Sequence, residues 1–154
     1  MSVGALRLLT GILIAGYSGG AVSAQDALTV VRRDGVAIYY QIELVDDPGS
    51  RTRGLMWRES LPRRTGMYFD FGRPQRVRMW MHNTLIPLDM LFVSEPGVLV
   101  DIKRNTSPGS LRLVGPSQAV RYVLEINGGE ASEFDFTIGD RFILSQRRDP
   151  VHAK

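Results

Sequence analysis

Cysteine is absent from the 154 residues. Without a thiol the chain makes no disulfide, carries no lipid through cysteine and offers no cysteine nucleophile. Histidine is scarce as well: only His82 and His152 are present, so a serine-histidine mechanism would have to use His82 or a residue near the C-terminus. Lysine occurs only at Lys103 and Lys154. No apolar run approaches the roughly 20 residues that a membrane span needs, because the one at 8–15 is followed by Gly16, Ser18, Gly19 and Gly20. A glycine-rich phosphate loop, the spacings of zinc and calcium motifs, internal repeats and low-complexity linkers are all missing. The formal net charge of +3 is too small to argue for nucleic acid.

The first 24 residues read as a secretory signal peptide. Arg7 and the free amine make a positive start, residues 8–15 an apolar segment, and Ala21, Val22, Ser23 and Ala24 a small-residue exit. Cleavage there would leave residues 25–154 as one globular domain, large enough to bury about two-thirds of its unfolded surface. The expected location is therefore periplasmic or secreted, with no stable membrane insertion after cleavage. Arginine carries most of the positive charge: eight arginines from Arg51 to Arg78 face only Glu59 and Asp70. That stretch reads either as a solvated basic face or as an anion-binding surface, since the guanidinium fork suits carboxylate and phosphate.

Along the chain, β-branched and aromatic runs at 28–33 and 36–45 flank Asp34-Gly35, the signature of a hairpin. Asp46-Asp47-Pro48 predicts a capped helix over 48–59, anchored by Leu55 and Met56. Further strands are expected at 66–71, 76–82, 88–94, 97–103, 121–127 and 141–146, with a turn or one-turn helix at 128–136, a long loop at 105–117 and a frayed tail at 147–154. At 76–82 the alternation sets Arg76, Arg78, Trp80 and His82 opposite Val77, Met79 and Met81. At 121–127 it places Val123 and Glu125 opposite Tyr122, Leu124 and Ile126. The expected fold is all-β with one or two short helices: a jelly-roll-like β-sandwich or squat barrel of about eight short antiparallel strands.

The ordered set Arg53-Gly54-Leu55-Met56, Leu61-Pro62, Gly66-Met67, Trp80-Met81 with Asn83-Thr84, Pro87-Leu88-Asp89 and Phe92, Gly97, Leu124-Glu125 with Gly129, and Gly139-Asp140 resembles the domain-of-unknown-function 192 family. The resemblance covers about residues 28–144. It implies a small, often exported, jelly-roll-like β domain without an established biochemical activity. Two positions depart from the family pattern: Gly128 where alanine is expected, and His82 where lysine is usual.

Candidate site residues gather around the central block. Trp80 could stack on a sugar ring or apolar ligand, Asn83, Thr84 and Asp89 could fix polar groups, and Arg53 and Arg58 could add an anion clamp. The same short polar residues could instead bond local backbone in a reversal. Met79, Met81 and His82 are Cu(I)-compatible types, but strand alternation separates the imidazole from the thioethers, so neither a metal nor another cofactor is expected. The expected function is a non-catalytic periplasmic binding or accessory module that holds a small polar or anionic ligand, or a segment of an envelope partner, at the 80–89 hairpin. The alternatives are a hydrolase acting on envelope glycans or phosphorylated metabolites through Asp89 with Glu125 or Asp140, and a purely structural envelope protein.

Overall fold

The computed structural model describes residues 26–145; the signal-peptide reading of 1–24 and the tail at 147–154 lie outside the described residues. The element order is β1 (Asp26–Val31), β2 (Ala37–Val45), α1 (Pro48–Arg53), β3 (Thr65–Gln75), β4 (Leu88–Val93), β5 (Leu99–Thr106), β6 (Val120–Asn127), α2 (Glu130–Glu133) and β7 (Arg141–Ser145). The all-β expectation holds, with two short helices. Among the described residues seven strands rather than about eight form a single sheet, in the order β5-β4-β6-β3-β2-β1-β7, instead of two stacked layers.

Not every pairing is antiparallel, because β2 and β3 run parallel from Gln41↔Thr65 to Val45↔Phe69. Parallel neighbours need a crossover of a dozen or more residues, and residues 46–64 supply it, α1 included. The sheet curls until its two edges touch: Val98 bridges to Arg141, with the Leu99 N–H donating to the Asp140 carbonyl at 2.8 Å. Inside the curl, buried side chains from all seven strands meet, among them Leu28, Tyr40, Tyr68, Leu91, Leu99, Leu124 and Phe142, capped by Ala131 and Phe136.

The outer face of β3, β4 and β6 is buried too. There Met67, Phe69, Leu88, Met90, Phe92 and Val123 are covered by Leu55, Leu61, Val77 and Met81 from the connecting segments. This double burial explains why β4 is apolar and buried at every position, Asp89 excepted in polarity.

The covering segments are where expectation and structure part. In α1, Asp47 accepts the Ser50 N–H at 2.9 Å and Pro48 occupies the first turn as anticipated. The helix nevertheless ends at Arg53 instead of 59, because Gly54 adopts φ 50°, ψ −136°, a conformation closed to side chains bearing a Cβ, and Trp57 follows at φ 65°. The stretch 76–82 is not a strand of the sheet. Its only ladder contact among the described residues is the isolated bridge Met79↔Val114. The period-two alternation is nonetheless real: Val77 and Met81 are buried and Met79 is half-buried, while Arg76, Arg78 and Trp80 are exposed. An extended arm lying across a sheet face alternates as a paired strand does, so periodicity does not distinguish the two.

Candidate functional site

Beneath that arm lies a cleft of about 360 Å³. One wall comes from the end of α1 and the turn after it, with Thr52, Arg53, Leu55 and Met56; the floor comes from β3 and β6, with Phe69, Phe71 and Glu125; the other wall is Arg78, Met79, Trp80, His82 and Thr84. The Trp80 indole is 44% exposed at the mouth, and its ring centroid lies 5.0 Å from that of His82.

Glu125 is the unusual member. It projects from the outer face of β6 between its register partners Met67 and Met90, and only 4% of its surface is exposed. Burial pushes its carboxyl up to about 8, and no hydrogen bond or neighbouring charge offsets that desolvation. A carboxyl in such a place is protonated at neutral pH and below. Buried polar groups are ordinarily paired within the protein, and this one opens instead into the cleft.

The cations around it differ in availability. Arg51 holds the Asp46 and Asp70 carbonyls and lies over the Phe71 ring at 5.5 Å, which fastens α1 to β3. Arg78 uses Nη1 on the Val77 and Pro116 carbonyls and keeps the rest of its fork. Arg53 has no ion pair or side-chain hydrogen bond among the described residues.

Of the six expected site residues, Arg53, Trp80 and Thr84 come together in the cleft, and Arg58, Asn83 and Asp89 do not. Arg58 is drawn away by Glu43, which accepts two hydrogen bonds from its guanidinium, one of them 2.7 Å. Asn83 sits at φ 54°, a turn conformation that asparagine tolerates, and its carbonyl accepts the Trp57 N–H. Asp89 lies on the inner face of β4, fully buried. Its carboxylate accepts backbone N–H bonds from Asn105 at 2.7 Å, Gly129 at 3.0 Å and Ala131 at 2.8 Å. It ties β5 to the start of α2 and has no route to the cleft.

The two-carboxylate arrangement therefore fails. In the register Asp89↔Ile126 and Met90↔Glu125, Asp89 and Glu125 point to opposite faces of the sheet, and the sheet itself lies between them. Asp140 is likewise structural, accepting the Arg33 N–H at 3.0 Å and the Thr137 N–H at 2.8 Å. Met79 and His82 share the cleft, whereas Met81 is buried with its Sδ 3.1 Å from the Thr106 hydroxyl. What the residue pattern underweighted was Glu125 itself. The available signal was a glutamate in phase with Val123 and set between Leu124 and Ile126 in the apolar centre of the strand.

A curled seven-stranded β domain whose outer face carries a cleft roofed by an arginine- and aromatic-bearing arm defines the class of molecule. The chain belongs to the domain-of-unknown-function 192 family, described as uncharacterized ACR, which matches residues 29–144. It is similar to a solved candidate transcription regulator from Sinorhizobium meliloti, with 36% identity, 79% of this chain and 94% of that chain covered, and a TM-score of 0.77. It is similar also to a protein of unknown function from Novosphingobium aromaticivorans, with 31% identity, 80% and 89% of the two chains covered, and a TM-score of 0.74. No curated protein matches the chain. At Gly128 a steric reason for glycine is present: a Cβ would stand 2.7 Å from the Asn105 side-chain oxygen and 3.0 Å from Pro87.

Proposed function

We propose that the protein is an exported, non-catalytic binding or accessory module that holds a small polar or anionic ligand in the cleft beneath Trp80. The observation that carries this reading is the partnerless carboxyl of Glu125 at the cleft floor. The Glu125 oxygens are open to the cleft, where a ligand with hydrogen-bond donors can reach them. Apolar walls with a few convergent polar groups, in a volume of about 360 Å³, are the usual make-up of a small-molecule site.

A hydrolase reading loses its paired carboxylates, since Glu125 is the one acid among the groups lining the cleft. The regulator description of the Sinorhizobium protein would call for a nucleic-acid face. Of the eight arginines of the basic stretch, Arg51, Arg58 and Arg63 are committed to carbonyls or carboxylates of this chain, which thins that face. The described residues contain no helix long and apolar enough to cross a membrane.

The test is a thermal-shift screen of the intact protein against polar and anionic metabolites. A ligand at a hundred times its Kd should add about 2.7 kcal/mol of stability. Trp80→Ala and Arg53→Ala should each remove that shift and leave the far-ultraviolet circular dichroism unchanged. Shifts that survive both substitutions would place binding elsewhere and refute the assignment.

A further inference from the structure

We infer that the ligand is zwitterionic and amino-acid-like, with an amine seated against Glu125 and a carboxylate held at the mouth by Arg53 and Arg78. This rests on the reading of the cleft as a ligand site and adds the chemical class and direction of what enters.

The direction follows from the order of groups with depth. Among the buried groups of the cleft the only charged or titratable side chain is an acid, beside the hydroxyl of Thr84 and flanked on β3 and β4 by Met67 and Met90, which bring no charge. The neutral carboxyl can give an anion a single hydrogen bond, and an anion at that depth would bring a second charge to desolvate with nothing there to compensate it. An ammonium or amine nitrogen brings what Glu125 lacks, hydrogen-bond donors and a compensating charge.

Midway, Leu55, Phe69, Phe71 and Met79 offer apolar surface suited to a methylene segment. The charged and titratable groups lining the cleft are Arg51, Arg53 and Arg78, with His82 beside Trp80. Of these, Arg51 is already fastened to two carbonyls, which leaves Arg53 and the unused part of the Arg78 fork to meet an anion. The site thus has an acid at the bottom, grease between and base at the top, and the complementary molecule has the opposite polarity at each end.

Binding also moves a proton. Below the pH at which Glu125 ionises, the free protein holds a neutral carboxylic acid at the floor. Docking of an R–NH3+ group favours the carboxylate, so the acid proton leaves for solvent and an ion pair remains. Charge balances: one cation enters and one proton departs.

The experiment is calorimetric titration of the full chain near about pH 6.5 with ε-aminocaproate and γ-aminobutyrate, in two buffers of different ionisation enthalpy. Caproate and hexylamine serve as controls that carry one end each. At least one amino acid should bind about tenfold or more tighter than either control, a difference of roughly 1.4 kcal/mol, and should release close to one proton per ligand. Glu125→Gln, neutral and nearly isosteric with the protonated acid, should keep the fold while losing proton release and about tenfold or more in affinity. Caproate binding as tightly as ε-aminocaproate, or binding without proton release, would overturn the inference. If none of the four compounds binds while other ligands still depend on Trp80, the amino-acid class is wrong and the cleft assignment stands; if no ligand depends on Trp80, both fall.

Discussion

Two acids on neighbouring strands of one sheet, Asp89 and Glu125, have opposite roles because they face opposite ways. Asp89 is surrounded by three backbone N–H donors that no water replaces once they are buried. Asp89→Ala leaves those donors unpaired and should cost about 3 kcal/mol or more, read as a lower urea midpoint, with α2 and the end of β5 losing hydrogen-exchange protection first. Glu125 is destabilising when ionised. In the unfolded chain it titrates near its ordinary 4.5, whereas in the fold it keeps its proton to about 8. Over that interval the native state binds a proton that the unfolded state has released, so stability falls as pH rises. The loss is on the order of 3–5 kcal/mol in full. Denaturant titrations at about pH 5 and pH 8 should show it, and Glu125→Gln should flatten the profile and be the more stable protein at the alkaline end. A profile unchanged by that substitution would mean that the carboxyl is solvated or paired in solution.

At the scale of elements, the cleft owes its shape to a helix that stops early. Six residues of α1 are closed at one end by the Asp47 cap and at the other by Gly54, so that Arg53 ends the helix, Leu55 and Met56 follow at the cleft wall, and the chain turns at Trp57. Gly54→Val places a β-branched residue at φ 50°, ψ −136° and should cost about 1–3 kcal/mol. The same change should weaken any ligand that depends on Trp80, measured as a smaller thermal shift at equal ligand concentration. These covering elements were the least legible in the sequence. The strands β1, β2, β4, β6 and β7 announce themselves by composition and by turns such as Asp34-Gly35 and Glu95-Pro96-Gly97, all local signals. Where α1 ends depends on one glycine's dihedral angles. Whether residues 76–82 pair into the sheet or lie across it depends on contacts with Ser110 and Val114, far along the chain. Trp80 and Arg53 could be picked by chemistry, whereas Asp89 could not be excluded until its three distant donors were known.

On the scale of the whole molecule, the family motifs separate into two groups. Asp89 and Asp140 lock the turns around the inner core, and Arg53, Gly54, Leu55, Met56, Trp80 and Glu125 assemble on the outer face. Composition and period gave an all-β chain; the parallel β2–β3 pairing and the single curled sheet arise from the 46–64 crossover and from edge contact at Val98 and Arg141, neither of which leaves a local trace. The sheet order has a practical corollary. Since β1 lies between β2 and β7, with Ala27 opposite Ser145, the backbone enters and leaves the described fold side by side. That doorway stands three strands from β6, roughly 14 Å at about 4.8 Å per strand. Any attachment made at either end of the described fold therefore starts from one place, three strands along the sheet from the strand that carries Glu125.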